Sequence, residues 1–366
     1  MDFSFDEEQT LLRTSLSKLL NEVYDFGSRQ EIVYGDPELS NKIWTIFSEL
    51  GLTALPFDEN LDGLGGRPSD IVAVSELFGK FAVVEPYLSV VFLSQLLQHA
   101  DPEQHRSLVE DVMTGRSRIA LAHEEPHDVG ALASMQTVVS NTTNGATLSG
   151  EKRLVLGAQG AAYLLVTAKC EDGFNLLKID PNARGVSLTT YRTIDGRQAA
   201  DVSFDEVSVS QGDRILDDAE TALHDALDRV RLALCAEAVG AMQELLELSA
   251  DYASTRKQFD KPIGQFQSVA HRLADMKVAC TKALSQLLQV TALADADRAT
   301  SRDVALLKLQ VGRLSQSVGE SAIQLHGGIG MTDELVVSHL FKRCLANGAM
   351  LGNADFHARV VGSSAG

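Results

Sequence analysis

Thr255-Arg256-Lys257-Gln258-Phe259-Asp260-Lys261-Pro262-Ile263-Gly264-Gln265-Phe266-Gln267 is the stretch on which the reading of this chain turns. Apolar residues recur at helical spacing on both sides of it. Upstream they are Leu223, Leu227, Leu234, Ala238, Met242, Leu245 and Tyr252; downstream they are Phe266, Val269, Leu273, Met276, Cys280, Ala283, Leu287 and Val290. Pro262 and Gly264 interrupt the pattern, so the segment reads as a helix end, a short basic turn and a new helix start. Two readings of the turn stay open on residue types alone. It is either a solvated corner between helices or a pocket in which Arg256 meets an anion and Phe259 covers a flat ring, since guanidinium pairs with phosphate in fixed geometry.

Arg256 to Ile263, followed by Gln265-Phe266-Gln267, resembles the C-terminal signature of the acyl-CoA dehydrogenase family of flavoproteins. Gln324-Leu325-His326-Gly327-Gly328-Ile329-Gly330-Met331 resembles the same family's Gln-x-x-Gly-Gly-x-Gly element. The two motifs stand in the family's order, and the layout described below extends the resemblance over nearly the whole chain. In the family these elements bind the ADP half of an FAD that belongs largely to the neighbouring subunit. The resemblance therefore implies FAD as cofactor, with Arg256 at the pyrophosphate and Phe259 on the adenosine side. It implies that Gln267, Gln324, Gly327 and Gly328 complete that donated half-site. Backbone without Cβ approaches a dinucleotide closely, which gives the glycines a physical reason.

The chain has 366 residues, 45% of them hydrophobic, enough for two or three packed units. A formal charge of -18 disfavours nucleic acid as a partner, because phosphate backbones need clustered Lys and Arg. It leaves room for CoA or FAD, which one local arginine can serve. Cys170, Cys235, Cys280 and Cys344 are far apart, with no Cys-x-x-Cys pair, and fit reduced, mostly buried thiols in a cytoplasmic protein. The N-terminus lacks the basic start of a signal peptide. Phe81 to Leu97, the most apolar run, is broken by Glu85 and Pro86 and is too short for a membrane span.

Helical patterns dominate the first third: Leu11 to Leu20, a segment through Trp44 and Phe47, then Ile71–Phe81, Tyr87–Leu97 and Glu103–Met113. A Gly-, Asp- and Pro-rich loop is expected from Asp58 to Ser69. Beyond Arg118 short strand-like runs appear, at Ile119–Ala122, Thr137–Val139, Leu154–Leu156, Tyr163–Thr167, Asn175–Ile179, Val186–Thr190 and Val202–Val209. Turn pairs such as Asn144-Gly145, Asp172-Gly173 and Asp195-Gly196 separate them. From Ala219 the helical period returns, with long helices expected at Ala222–Thr255, Gln265–Asp297, Ser301–Gln324 and Leu335–Cys344 and a tail helix after Gly352. The expected fold class is α+β and acyl-CoA dehydrogenase-like. An N-terminal all-helical domain covers 1–116, a middle antiparallel β domain 117–218 and a C-terminal four-helix bundle 219–366.

The family reaction removes two hydrogens across Cα–Cβ of an acyl-CoA: a carboxylate takes the α-proton and hydride passes to the flavin. The α-proton is weakly acidic, so a placed base matters. Counting from Gln324 without gaps, the family's usual glutamate corresponds to Leu351, which cannot ionise. Some relatives carry the base just before a CoA-binding arginine in the first bundle helix, and the matching pair is Val230-Arg231. Arg231 is thus the candidate for a CoA phosphate, with a surface arginine beside Asp228 as the alternative; the catalytic base stays unassigned. Asp355 is a displaced candidate and Glu237 a weaker one. His123, Glu124 and His127 have no metal-binding spacing, and no metal is expected.

The middle domain departs from the family too. Glu124-Glu125-Pro126-His127-Asp128-Val129 stands for the Thr-Glu-Pro and Gly-Ser-Asp elements, and Leu154-Val155-Leu156 for the aromatic-Ile-Thr near the flavin ring. Features that hold a flavin within the same subunit are eroded, while those lent to a neighbour are intact. The resemblance thus implies an FAD-linked α,β-desaturation of an acyl-CoA, in a subunit that completes the FAD site of a paralogous partner. The expected partners are the acyl-CoA substrate, an electron-acceptor flavoprotein, and that paralogue or a second copy of the chain. The alternatives are a homo-oligomeric enzyme with a displaced base, or a non-catalytic CoA- or flavin-binding protein.

Overall fold

A computed structural model describes residues 6–35, 37–126, 132–142 and 145–363. The order begins α1 (Glu7–Val23), α2 (Phe26–Tyr34), α3 (Pro37–Glu49), α4 (Pro68–Lys80), α5 (Tyr87–Leu96) and α6 (Arg106–Met113). Eight strands follow: β1 (Ile119–Ala122), β2 (Val138–Thr142), β3 (Gly145–Leu156), β4 (Tyr163–Cys170), β5 (Gly173–Ile179), β6 (Val186–Arg192), β7 (Gln198–Val209) and β8 (Arg214–Leu216). Then come α7 (Glu220–Thr255), the short pair β9 (Lys257–Gln258) and β10 (Lys261–Pro262), α8 (Gln267–Asp295), α9 (Ser301–His326), α10 (Val336–Ala349) and α11 (Ala354–Ser363). The α+β class and the helical, sheet, helical sequence of elements agree with the expected fold. Among the described residues no helix is long and apolar enough to cross a membrane.

The described chain forms two compact units. One comprises residues up to Glu31, Pro68–Val83 and Arg231 onward; the other comprises Ile32–Arg67 and Val84–Val230. The first is helical. Its core is a stripe from each long helix: Val239, Met242 and Leu245 of α7, Met276, Cys280 and Leu287 of α8, Leu307 and Val311 of α9, and Leu340 and Cys344 of α10. Helix starts follow their sequence signals. Asp6 and Gln9 make a capping box on α1, and Thr300 and Asp303 make another on α9. Backbones of α4 and α7 touch through a reciprocal glycine contact. A Cβ on Gly79 would lie 1.8 Å from the Glu237 carbonyl oxygen, and one on Gly240 would lie 1.9 Å from that of Glu76. Helix α2 was not foreseen, because it lacks an apolar stripe. Its Arg29, 1% exposed, donates from Nε to the Ala82 carbonyl at 2.9 Å, a long-range bond that periodicity does not encode.

The second unit holds an eight-stranded sheet of order β6-β7-β3-β2-β4-β5-β8, with β1 paired to β4. The sheet is mixed where the sequence suggested antiparallel pairing throughout. β1 runs parallel to β4 (Ile119 opposite Tyr163), and β2 meets β4 in parallel at Val138 and Lys169. The β2–β3 hairpin lies in the crossover between β1 and β4, and such a crossover is what a parallel pair requires. Strand β3 is also far longer than the expected Leu154–Leu156. Gly150, Glu151 and Lys152 break its alternation, yet Lys152 points inward and is fully buried. A bulge between Lys152 and Val155 re-aims the strand's last residues. The expected Asn144-Gly145 turn lies partly outside the described residues, as do His127, Asp128 and Val129.

Candidate functional site

In the helical unit, the two sequence motifs are brought together at the ends of α7 and α9. Tyr252, one turn before the end of α7, stacks on His326 at the end of α9, with ring centroids 4.4 Å apart and planes at 26°. His326 Nδ1 donates to the Ala322 carbonyl at 2.9 Å, which fixes the ring for that stack. Beyond α7 the chain forms a two-residue hairpin, Lys257 and Gln258 pairing with Pro262 and Lys261. The turn residues Phe259 and Asp260 both have left-handed backbone, φ 51° and 63°, the pattern of a type I′ turn. Glycine, asparagine and aspartate favour such a position, whereas a bulky aromatic there is strained. Strain at an exposed site flags a constraint other than the chain's own packing.

Phe259 is 87% exposed; its one described ring neighbour is Phe266, edge-on at 6.1 Å. Arg256 is exposed and makes no side-chain ion pair with a described residue. Gln267 opens α8 at the surface, and Gln324 is exposed on the last turn of α9. Gly327 caps α9 at φ 66°, ψ -145°, a conformation natural only to glycine. Around Gly327 and Gly328 no atom lies within 4 Å of where a Cβ would stand. The second glycine is therefore not demanded by packing inside the chain. Ile329 and Met331 beside it are 44% and 75% exposed. A basic hairpin, bare backbone and uncovered apolar side chains form one corner that faces away from its own core. That corner presents an exposed guanidinium and an exposed aromatic ring, the groups that pair with anions and with flat rings.

The position corresponding to the family's base is built differently. Leu351 is 3% exposed and has left-handed backbone, φ 51°. Its carbonyl accepts from Arg231 Nε at 3.1 Å and from His357 Nε2 at 3.1 Å. Lys308, 2% exposed, donates to the carbonyls of Asn347 (2.7 Å), Gly348 (3.3 Å) and Gly352 (3.3 Å), closing the end of α10. Burial, reinforced by the Arg231 and Lys308 charges, pushes the His357 imidazole down to about 3, so it is neutral and donates from Nε2. Two buried cations and a neutral histidine thus hold a turn made of main-chain carbonyls. Leu351 itself has no group that could take a proton from carbon. Sequence reasoning missed Lys308, because its partners are backbone groups at the end of another helix and in the turn beyond it.

The other acidic candidates are occupied elsewhere. Asp355 is on the surface, its side chain 81% exposed, 3.8 Å from Arg313. Glu237 is 5% exposed and accepts from Arg343 Nη1 at 3.2 Å and Asn347 Nδ2 at 3.0 Å, a structural pair. Arg231, the candidate for a CoA phosphate, is 7% exposed.

In the sheet unit, Glu125 accepts from the backbone N–H of Gln136 (2.6 Å) and Thr137 (3.0 Å) and from Lys152 Nζ (2.8 Å). Lys152 also donates to the His123 carbonyl at 3.1 Å. Burial pushes the Lys152 amine down to about 8, with Glu125 opposing the shift. The pair organises the sheet's interior. Leu154, at the bulge, has φ 53°, and Leu154-Val155-Leu156 offers no hydroxyl or indole donor. A flavin ring held by side-chain hydrogen bonds from this segment does not fit. Among the described residues no three His, Cys, Asp or Glu side chains converge as metal ligands. Cys235, Cys280 and Cys344 are buried free thiols; burial pushes Cys235 and Cys344 up to about 12 and Cys280 to about 11, far from reactive thiolates.

Residues 221–366 match the family model for the acyl-CoA dehydrogenase C-terminal domain. A probable acyl-CoA dehydrogenase, YngJ of Bacillus subtilis (strain 168), is 26% identical over 358 residues, 93% of each chain. The structure of the ChsE4-ChsE5 complex from Mycobacterium tuberculosis superposes with a TM-score of 0.90 at 24% identity, covering 100% of this chain and 98% of that one. An FAD complex of PigA superposes with a TM-score of 0.89 at 23% identity, covering 100% and 99%. With its motifs converging at one corner, the chain carries the C-terminal domain of the acyl-CoA dehydrogenase family over residues 221–366, and its likeness to acyl-CoA dehydrogenases runs over nearly its whole length.

Proposed function

We propose that this chain is a subunit of a hetero-oligomeric acyl-CoA dehydrogenase, lending the ADP-binding half of an FAD site to a paralogous partner that carries the catalytic base. Bound FAD supplies the hydride acceptor for α,β-desaturation of an acyl-CoA thioester. This chain's own residues bind and orient. Arg256 neutralises pyrophosphate charge through charge-assisted hydrogen bonds. Phe259 covers the adenosine side. Gln267 and Gln324 offer amides, and Gly327 with Gly328 leaves room for close approach. For Arg231, its burial and its bond to the Leu351 carbonyl support a positioning role in that turn rather than direct phosphate contact. An electron-transferring flavoprotein is the expected acceptor from the assembled enzyme.

The observation that carries this reading is the outward aim of the hairpin and glycine corner, with Phe259 87% exposed on a strained turn. Two facts support it. Leu351 offers no base, and one structural relative was crystallised as the ChsE4-ChsE5 complex. The homo-oligomeric alternative with Asp355 as base has no comparable support, because that carboxylate is solvated beside Arg313.

The test is to purify the chain alone and together with a co-expressed paralogue that retains the family's glutamate. The expected result is a colourless chain alone and a yellow complex that an acyl-CoA bleaches. Arg256→Ala in this chain is expected to lower the flavin-to-protein ratio of the complex. Stoichiometric flavin and desaturase activity in the lone chain would refute the lending role, and unchanged occupancy in the Arg256→Ala complex would remove that residue from the site.

A further inference from the structure

We infer that the sheet unit carries a second anion site, a groove around Arg118 that takes a small organic phosphate. A cavity of about 680 Å³ lies over Trp44 and Arg118. A neighbouring one of about 350 Å³ reaches Arg192 and Gln198. The two share Asn41, Arg118, Gln159 and Gly160, so they form one groove. Arg116, Arg118 and Arg192 line it, and among the described residues no Asp or Glu does. In a chain with 50 acidic and 32 basic residues, a groove whose described charged lining is three arginines departs from the prevailing charge.

The arginines differ in how far the protein neutralises them. Arg116 is at the surface and paired with Glu110 and Asp111 at 2.9 Å each. Arg118 is half-buried, lies over the Trp44 ring at 5.3 Å, and donates from Nη2 to the Ser40 carbonyl at 2.9 Å, a neutral partner. Burial lowers its affinity for its proton, and Glu85, which accepts from Ser40 Oγ at 3.2 Å, opposes this. Arg192 lies over the Tyr34 ring at 4.6 Å. Neither Arg118 nor Arg192 makes an ion pair with a described carboxylate. A partly desolvated guanidinium resting on an aromatic face and one carbonyl is prepared for an anion.

A second observation points the same way. Trp44 is 2% exposed, and its Nε1 is a buried donor with no hydrogen-bond partner among the described residues. Its indole ring lines the groove and carries the Arg118 guanidinium, so the cation is held on a fixed, buried face. The groove's far wall is apolar, with Ala158, Ala161, Pro181 and Leu188, which suits a carbon skeleton attached to the phosphate. The site shares no residue with the Arg256 corner, so the two stand or fall separately.

Calorimetric titration of the purified chain with phenyl phosphate, and competition by inorganic phosphate, tests the site. Saturable binding of phenyl phosphate is expected, displaced by inorganic phosphate at higher concentration. Arg192→Gln and Gln159→Glu, both at exposed positions, should each weaken it about tenfold, the factor of one charge-assisted contact. Arg118→Gln should abolish it, and Arg256→Ala should leave it unchanged. Absence of saturable binding, indifference to both Arg192→Gln and Gln159→Glu, or loss in Arg256→Ala would each overturn the inference.

Discussion

Replacing Phe259 by asparagine should have opposite effects on the lone chain and on the assembled enzyme. A side chain with Cβ in left-handed backbone costs about 1–2 kcal/mol, and asparagine visits that region far more readily. Phe259 sits there at φ 51°, next to Asp260 at 63°. What it gains within the chain is small, one edge-on contact with Phe266 at 6.1 Å, on a side chain left 87% exposed. Such a contact contributes about 0.5 kcal/mol. Phe259→Asn is therefore expected to stabilise the lone chain by about 0.5–1 kcal/mol, read as a raised urea midpoint at unchanged m. In the assembly, covering a phenylalanine contributes about 1.5–3 kcal/mol, so the same substitution should weaken flavin retention about tenfold or more. The paired assays are urea unfolding of the single chain and the flavin-to-protein absorbance ratio of the complex after gel filtration. A midpoint lowered by more than about 1 kcal/mol would mean that Phe259 serves internal packing, and unchanged flavin retention would remove it from the shared site.

Other outcomes follow from the same geometry. Gly240→Ala places a methyl 1.9 Å from the Glu76 carbonyl oxygen and should lower stability by about 3 kcal/mol or prevent folding. Gly312→Ala, with nothing within 4 Å of the added methyl, should raise stability by about 0.5–1 kcal/mol, and urea unfolding of the two variants checks both signs. His357 is held down at about 3, below its ordinary unfolded value near 6.5, so between these limits the unfolded chain binds more protons than the folded one. Its contribution is complete above about pH 6.5 and is lost as pH falls toward 3, with a slope approaching 1.4 kcal/mol per unit. His357→Gln should flatten the pH dependence of the urea midpoint between about pH 6.5 and 5, a window above the carboxylate range; a slope identical to the parent chain would refute the assignment.

Much of the fold was legible because its cores are periodic. The stripes of α7, α8 and α9 are simple repeats of Leu, Val, Ala and Met, and the starts of α1 and α9 carry capping boxes. The features that escaped are those in which a polar side chain does a core residue's work. Lys152 looked like a break between strands, yet it lies fully buried with Glu125 at 2.8 Å, and β3 runs straight through it. Arg29 lies in a helix without an apolar stripe and anchors α2 to the Ala82 carbonyl. The parallel pairing of β1 with β4 was hidden for a related reason. Alternation tells which face a residue takes, but not which distant strand lies alongside.

The motif corner and the Leu351 turn show the same limit from two sides. A motif marks which residues occupy the hairpin, but the left-handed backbone at Phe259 appears only in three dimensions, and that strain at an exposed ring is what supports the proposed role. At Leu351 the sequence records only the loss of a carboxylate. The structure adds that the turn persists without it: Lys308 closes the end of α10, while Arg231 and His357 grip the carbonyl of a residue that has φ 51°. Buried carbonyls must be paired whether or not a reaction occurs beside them. The cations that surround this turn therefore have a packing reason to remain in a chain with leucine at that position. Their presence is consistent with the family's architecture and is not by itself a sign of the family's chemistry in this subunit.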